Sequence, residues 1–263
     1  MSFQEDISTT QSKSLHNGSS QNNNELRPVT LLQRIKNNRQ FASPTGLARN
    51  TIGGWLLGFI FACGIALMII GVNTNEWGVK EKNSSNAATS EPNVYYYLLP
   101  FSVYLIISSV FYSSEFLWHA IFHPMTLDFD AFILYTHSKA FHYALLASMI
   151  EYMLELKFCR TYLKSFSIIH VIGLVLVCAG QVTRSVAMYT AGNNFTHLIA
   201  TEKQTNHRLV THGIYKYFRH PSYMGWFYWS IGTQLLLCNP ICFIAYSAAS
   251  WNFFKARIPF RIF

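Results

Sequence analysis

Long uncharged apolar segments alternate with short polar segments along most of this chain. Residues 52–72, 94–114 and 165–183 contain no charged residue, and a further uncharged run covers residues 221–254. A helix needs roughly 20 apolar residues to cross the hydrocarbon core of a bilayer. The pattern therefore predicts an all-α polytopic membrane protein.

We predict six membrane spans, of which the last two form a C-terminal helical hairpin. The predicted spans cover residues 52–72, 94–121, 131–153, 166–189, 222–238 and 240–255. Asn239 and Pro240 divide the last uncharged run, because proline cannot continue a helix interior and the residue before it disfavours helical dihedrals. At ~1.5 Å rise per residue, each arm of the hairpin reaches roughly 24 Å.

The distribution of basic residues predicts which side of the membrane each segment faces. The basic residues nearest the first span are Arg34, Lys36, Arg39 and Arg49. The positive-inside rule places this end of the chain in the cytosol. Six crossings then place residues 122–130 and 190–221 in the cytosol and residues 73–93 and 154–165 in the lumen. The basic residues of segment 154–165 conflict with this topology.

The first fifty residues differ from the rest of the chain. They are rich in Ser, Asn, Gln and Thr and contain few large apolar residues. Residues 1–50 are therefore expected to form a disordered cytosolic segment. No apolar h-region follows Met1, so we expect no cleavable signal peptide, and the first span acts as the insertion signal.

Composition and charge narrow the range of functions. Hydrophobic residues make up 51% of the 263 residues and charged residues only 12%, about half the ~25% of a soluble domain. The net charge of +8 is explained by basic residues beside the spans, so we expect no nucleic-acid partner. We also expect no metal site, because the histidines and the five cysteines lack zinc-like spacing.

Several ionisable residues fall within the predicted spans, where they are costly and usually face a cavity or a partner. Glu115 and His119 are four residues apart on one helix face and can interact with each other. Arg184 lies near the cytosolic end of its span, where its side chain either snorkels to the interface or binds a substrate carboxylate. Interhelical hydrogen bonds account for the others, which are His137, Lys139, His142, Glu151 and His170.

The segment before the fifth span is unusually dense in His, Arg and Tyr side chains. Pro221 is expected in the first turn of the following helix, where its missing N–H costs little. The free N–H groups of that turn offer a site for a carboxylate or a phosphate. Nearby tyrosines suit a cation such as a sulfonium. The same residues also fit an interfacial aromatic belt.

Longer stretches of this region resemble the isoprenylcysteine carboxyl methyltransferase family. The matching stretches are NFTHLIATEK (194–203), HRLVTHGIY (207–215) and FRHPSYMGWFYW (218–229). The resemblance covers residues 95–257 and is closest after Arg184. The shorter pattern Arg-His-Pro-x-Tyr-x-Gly alone marks a wider superfamily that includes phospholipid methyltransferases and sterol reductases.

The resemblance implies a multi-pass enzyme of the endoplasmic reticulum membrane with its active site facing the cytosol. Such an enzyme transfers a methyl group from S-adenosylmethionine to the α-carboxylate of a C-terminal prenylated cysteine. The implied substrates are farnesylated or geranylgeranylated CaaX proteins, such as small GTPases, presented at the lipid bilayer. The implied cofactor-binding residues are Ala200, His207, Arg208, Leu209, Val210, Tyr215, His220, Pro221, Ser222 and Tyr223.

Two arginines are candidates for the catalytic site. The resemblance implies that Arg257 contacts the substrate, and we interpret Arg184 as a second anchor for the substrate carboxylate. The predicted methyltransferase domain therefore covers residues 51–257 and includes a cytosolic cofactor-binding segment at residues 190–225.

Residues 258–263 depart from the family pattern, and we interpret them as a divergent, shortened C-terminus. Arg261 stands where the family has a glutamate that contacts the cofactor, and no Asp or Glu follows Glu202. Because a like charge near the sulfonium opposes binding, we expect poor methylation or none. A splice form, a gene-model error and a divergent active enzyme are the alternatives that explain this end.

Other functions stay open at this stage. The same scaffold suits a phospholipid methyltransferase or an NADPH-dependent sterol reductase. The chain also fits a non-catalytic protein that binds prenylated partners or regulates an active enzyme. A transporter fits least well, because no internal repeat is visible.

Overall fold

The computed structural model describes residues 31–43, 45–82, 94–158, 168–195 and 209–257. Every regular element within these ranges is helical, which confirms the all-α prediction for them. The helices are α1 (Leu31–Asn37), α2 (Arg39–Ala42), α3 (Leu47–Lys82), α4 (Val94–Phe122), α5 (Ile133–Thr136), α6 (Lys139–Phe158), α7 (Ile168–Ala191), α8 (Pro221–Leu237) and α9 (Pro240–Arg257). The described ranges also contain 3-10 turns at Pro124–Thr126, Phe129–Ala131, Gly192–Asn194 and Gly213–Lys216.

Three helices in the described ranges are long and apolar enough to cross a membrane. Their apolar stretches are Leu47–Asn73, Leu98–Phe122 and Ile168–Asn194. They overlap the first, second and fourth predicted spans. The other three predicted spans coincide with α6, α8 and α9, which are shorter or more polar, so the count of six stays a prediction.

Two predicted boundaries differ from the structure. Helix α3 continues to Lys82, into the segment that we expected to be a lumenal connection. The single helix predicted over residues 131–153 is wrong at its start, because α5 ends at Thr136 and α6 begins at Lys139. Ser138 precedes α6 and accepts a hydrogen bond from the Phe141 amide at 3.4 Å. This N-cap geometry favours a new helix start over a continuous helix.

Helices α7 and α8 pack at backbone distance. A Cβ atom built on Gly180 would lie 2.6 Å from the carbonyl oxygen of Gly225 and from the amide nitrogen of Trp229. A Cβ atom on Gly225 would lie 2.7 Å from the amide nitrogen of Arg184. Small residues allow such close approach between helices in membranes. Helices α7 and α8 therefore form a rigid pair, and α7 fixes the position of α8.

Aromatic side chains fill the core between this pair and the first two long helices. Phe111 of α4 stacks on Trp229 of α8 with 4.0 Å between ring centroids, and Tyr112 meets Trp229 edge-on at 5.9 Å. Leu57 of α3 and Val177 of α7 belong to the same buried cluster. The core therefore joins α3, α4, α7 and α8.

Helix α8 ends and α9 begins around Cys238 and Asn239. Cys238 adopts a left-handed conformation with φ of 51°, and Pro240 occupies the first position of α9. The break that we predicted at Asn239-Pro240 therefore divides the uncharged run. The Asn239 side-chain amide donates to the carbonyl oxygen of Ser148 in α6 at 2.9 Å, which fixes this corner against α6.

A buried carboxylate caps the start of α9. Both oxygens of Glu151 in α6 accept backbone hydrogen bonds, one from Ile241 and one from Cys242, each at 2.7 Å. The first N–H groups of a helix have no partner within the helix and carry its positive dipole end. Glu151 of α6 therefore accepts hydrogen bonds from two of these N–H groups in α9. This confirms the prediction that Glu151 forms interhelical hydrogen bonds.

Candidate functional site

One end of the helix bundle brings together several of the predicted site residues that the structure describes. We call this region, around the start of α8 and the ends of α4, α7 and α9, the motif end. Arg184 of α7 contacts Glu115 of α4 and Ser222 of α8. Tyr223 of α8 contacts Phe254 of α9, with ring centroids 5.3 Å apart. Side-chain contacts therefore connect all four helices at this end.

The start of α8 matches the sequence prediction. His220 is the residue before the helix and Pro221 occupies its first position. Pro221 and Ser222 are buried, whereas Tyr223 is half-buried. Backbone N–H groups in the first turn of a helix have no acceptor within the helix, so a helix start of this kind suits an anion.

A 3-10 turn places a second part of the motif beside α7. Gly213 has φ of 57°, and a Cβ atom there would lie 2.8 Å from the Thr190 methyl carbon. Glycine fits this left-handed conformation and the close approach at no steric cost. Tyr215 lies in the same turn, which is thereby held against the C-terminal end of α7.

The remaining predicted cofactor residues divide into two groups. Leu209 is 86% exposed, and Val210 beside it is partly buried. Ala200, His207 and Arg208 lie outside the described residues. The structure thus brings Ser222 and Tyr223 to the motif end and leaves the placement of the other three a prediction.

Aromatic rings surround the first turns of α8. The ring of His220 stacks on Tyr223 at 5.9 Å, and Trp226 approaches Phe253 of α9 at 5.8 Å. Together with the Tyr223–Phe254 contact, these pairs form an aromatic cluster between the start of α8 and the end of α9. The sequence analysis did not identify Phe253 and Phe254 as site residues. Their position three and four residues before Arg257, a predicted site residue, was the signal that could have indicated them.

Arg257 is the last residue of α9. Phe254 precedes it by three residues, so the α9 backbone carries Arg257 to the motif end. The contact of Arg257 with the substrate stays a prediction.

The Arg184 side chain points inward, so the expectation that it snorkels to the interface is wrong. Arg184 is 7% exposed and Glu115 is 1% exposed. Its Nε donates to Glu115 Oε1 at 2.5 Å and its Nη2 to Oε2 at 2.6 Å. Its Nη1 donates to the Ser222 Oγ at 3.1 Å and to the Ser222 carbonyl oxygen at 3.3 Å. Burial and a forked ion pair explain the inward orientation.

The sequence predicts that Glu115 and His119 can interact, and the structure shows Arg184 as a partner of Glu115 that the sequence did not indicate. The two residues are 69 positions apart in the chain, so helix periodicity cannot pair them. His119 lies beside His123, with 5.3 Å between ring centroids. The His123 Nε2 lies 2.7 Å from the Phe195 carbonyl oxygen, which requires that nitrogen to carry a proton.

A small cavity opens between the ends of α4 and α7. Its lining residues are Trp118, His119, Phe122, His123, Met188, Gly192 and Phe195. Phe195 directly precedes segment 196–208, which contains three of the predicted cofactor residues. In the described parts of the chain, no three His, Cys, Asp or Glu side chains are placed to hold a metal ion.

The fold and the motif end define a helical membrane protein with a polar site where four helices meet. A model of the isoprenylcysteine carboxyl methyltransferase (ICMT) family matches residues 171–260. A protein-S-isoprenylcysteine O-methyltransferase of Saccharomyces cerevisiae is 37% identical over 163 residues, covering 60% of this chain and 68% of the relative. This chain belongs to the isoprenylcysteine carboxyl methyltransferase family.

Other relatives agree with this membership. A protein-S-isoprenylcysteine O-methyltransferase of Xenopus laevis is 43% identical over 202 residues, covering 77% of this chain and 61% of the relative. The solved structure of a eukaryotic intramembrane Ras methyltransferase ICMT matches with a TM-score of 0.61 and 36% identity, covering 84% of this chain and 79% of that one. This chain spans only 61% of the Xenopus relative and 62% of the human one.

Proposed function

We propose that this chain methylates the α-carboxylate of a C-terminal prenylated cysteine, with S-adenosylmethionine as the methyl donor. The observation that carries the proposal is the meeting of the family's His-Pro-Ser-Tyr motif, at the first turn of α8, with the arginine-bearing end of α9. The relatives described above are named for this activity. The proposed substrates are farnesylated or geranylgeranylated CaaX proteins, such as small GTPases.

The described residues fit the chemical groups of S-adenosylmethionine. Its amino-acid carboxylate suits the N–H groups at the start of α8, where Ser222 and Tyr223 lie. Its sulfonium suits the faces of Tyr223 and Phe254, since aromatic rings attract cations. The other residues proposed to hold it are Ala200, His207, Arg208, Leu209, Val210, Tyr215, His220 and Pro221.

The proposed reaction needs orientation more than acid or base catalysis. S-adenosylmethionine supplies an electrophilic methyl group, and the acceptor carboxylate is already ionised near neutral pH. Arg257 binds that carboxylate and holds it in line for attack. The aromatic cluster around Trp226 and Phe253 excludes water from the site, which strengthens the electrostatic contacts within it.

The buried ion pair changes the role that we propose for Arg184. A substrate carboxylate at this guanidinium would compete with Glu115, which already accepts two of its hydrogen bonds. Arg184 is therefore proposed to position the start of α8 rather than to bind the substrate carboxylate directly. Arg257 is left as the proposed substrate anchor.

The proposed setting is the endoplasmic reticulum membrane, with the motif end facing the cytosol. In this arrangement α8 and α9 form the C-terminal hairpin of a six-span bundle. The prenyl chain enters from the bilayer between the helices, while the cysteine carboxylate meets the cofactor at the cytosolic face. Because the prenyl chain lies in the bilayer, a site for it is best formed between membrane helices.

Methyl transfer to a defined acceptor tests the proposal. Membranes containing the full chain are supplied with radiolabelled S-adenosylmethionine and either N-acetyl-farnesylcysteine or N-acetylcysteine. We expect label on the farnesylated compound only, and loss of that label in Y223A. Label on phosphatidylethanolamine instead, or no label on any acceptor, contradicts the proposed function.

Reduced turnover is a separate expectation, based on Arg261. Arg261 and the rest of segment 258–263 lie outside the described residues. Because a positive charge near the sulfonium opposes cofactor binding, the expected methyl transfer is slow.

A further inference from the structure

We propose that Glu115 is a positioning residue for the cofactor site, acting through Arg184 on the first turn of α8. Glu115 lies in α4, outside every segment that the sequence motifs singled out. The inference rests on the proposed function, because it concerns the affinity of that site for S-adenosylmethionine. It assigns a role to a residue that need not touch either substrate.

The hydrogen bonds form one continuous path across three helices. Glu115 accepts from Nε and Nη2 of Arg184, which occupies one edge of the guanidinium. The remaining nitrogen, Nη1, donates to both the hydroxyl and the carbonyl oxygen of Ser222. The guanidinium is planar and rigid, so the orientation that Glu115 imposes on one edge fixes where the other edge meets Ser222.

Packing around Arg184 restricts the positions that its guanidinium can occupy. Its central carbon lies 5.7 Å from the centroid of the Phe111 ring. The Arg184 backbone approaches Gly225 so closely that a Cβ there would lie 2.9 Å from the Arg184 Cβ. With the backbone fixed by α8 and one face covered by Phe111, the carboxylate of Glu115 selects the rotamer that reaches Ser222.

The affected turn is the one that the cofactor is proposed to use. Ser222 directly follows Pro221, the first residue of α8, and directly precedes Tyr223. A shift of Ser222 moves the first-turn N–H groups and the Tyr223 ring together, because all belong to one helical turn. Losing the Glu115 charge should therefore weaken cofactor binding more than binding of the prenylated substrate.

A purely structural role for Glu115 makes a different prediction. If the pair only stabilises the bundle, its loss lowers the melting temperature and the amount of folded protein, but the folded fraction binds the cofactor normally. Glu151 offers a matched control, since it is also a buried glutamate in a long helix with two strong hydrogen bonds. Its partners lie at the other end of α8, at the start of α9.

The test compares E115Q and E151Q in the full chain, purified into lipid nanodiscs. Calorimetric titration with S-adenosylhomocysteine and steady-state kinetics report on the site. We expect E115Q to raise the dissociation constant and the KM for S-adenosylmethionine about tenfold, with the KM for N-acetyl-farnesylcysteine unchanged. In the cofactor-free protein, amide hydrogen exchange of residues 221–228 should speed up. E151Q should lower the melting temperature without any of these changes.

A double-mutant cycle tests the proposed path. S222A removes the hydroxyl contact with Arg184 Nη1 and keeps the contact with the Ser222 carbonyl oxygen. Part of the path is then lost, so E115Q should weaken cofactor binding less in the S222A background than in the wild type. If E115Q does not fold, R184K replaces it, since lysine keeps the charge but cannot engage Glu115 and Ser222 together. R184K should then show the same selective rise in the KM for S-adenosylmethionine.

Wild-type cofactor affinity in folded E115Q, or in R184K where E115Q fails to fold, overturns the inference. Equal loss of affinity in E151Q, or additive effects in the cycle, overturns it as well. A wild-type chain that neither binds S-adenosylhomocysteine nor transfers methyl groups is a different result. That result overturns the proposed function, and this inference with it, before any variant is compared.

Discussion

Replacing Gly225 with alanine would place a methyl group directly against the backbone of α7. The added Cβ would lie 2.7 Å from the amide nitrogen of Arg184 and 2.7 Å from the carbonyl oxygen of Gly180, where ordinary contacts are 3.4–4 Å. Neither obstacle is the flexible end of a side chain. The helices must therefore move apart by several tenths of an ångström.

The expected cost follows from two opposing effects. Overpacking of a tight interface costs about 1–3 kcal/mol, whereas alanine improves helix propensity over glycine by up to about 1 kcal/mol. We expect G225A to lower the free energy of unfolding by about 1–2 kcal/mol. It should also weaken cofactor binding, because Ser222 lies one turn before Gly225 and moves with it.

Gly58 in α3 provides a matched control. A Cβ atom there would meet nothing within 4 Å, so only helix propensity changes. We expect G58A to match or slightly exceed the wild-type free energy of unfolding, by no more than about 1 kcal/mol.

The assay is reversible unfolding in mixed micelles of increasing sodium dodecyl sulfate content, followed by tryptophan fluorescence. Trp226 and Trp229 of α8 lie on the affected helix and report on its packing. If G225A and G58A unfold with the same free energy, α7 and α8 do not pack at backbone distance, and the reasoning about the rigid pair is wrong.

Two further variants test other parts of the account. E151Q should lower the free energy of unfolding by about 1–3 kcal/mol, because an NH2 group that cannot accept replaces one of the two oxygens that Ile241 and Cys242 use. An unchanged melting temperature would argue against the cap. R261E should raise methyl-transfer turnover and lower the KM for S-adenosylmethionine, since it replaces a like charge with an opposite one. Identical kinetics in R261E and R261Q would show that charge at this position does not limit the reaction.

Charge and proline patterns located most of the helices. The predicted span 94–121 lies within one residue of the bounds of α4, and Asn239-Pro240 located the break between α8 and α9. The start of α6 was missed because apolar residues flank the short polar stretch 136–139 on both sides. There a local side-chain cap, rather than hydrophobicity, decides where the helix begins.

The candidate site was only partly predictable, because some of its contacts depend on how separate helices pack. The motif located Ser222 and Tyr223, since helix-start signals are local. The pairing of Glu115 with Arg184 depends on how α4 and α7 pack, and helix periodicity reaches only three or four residues along the chain. The aromatic contact between Tyr223 and Phe254 likewise arises only when α9 lies beside α8.

The central claim is that the motif end binds S-adenosylmethionine and a prenylated cysteine together for methyl transfer. The most direct test measures label transfer from radiolabelled S-adenosylmethionine to N-acetyl-farnesylcysteine by the wild-type chain in nanodiscs, with R257A and N-acetylcysteine as controls. We predict label on the farnesylated acceptor in the wild type, a large loss in R257A and none on N-acetylcysteine. Equal label in wild type and R257A, or none in the wild type, would contradict the account.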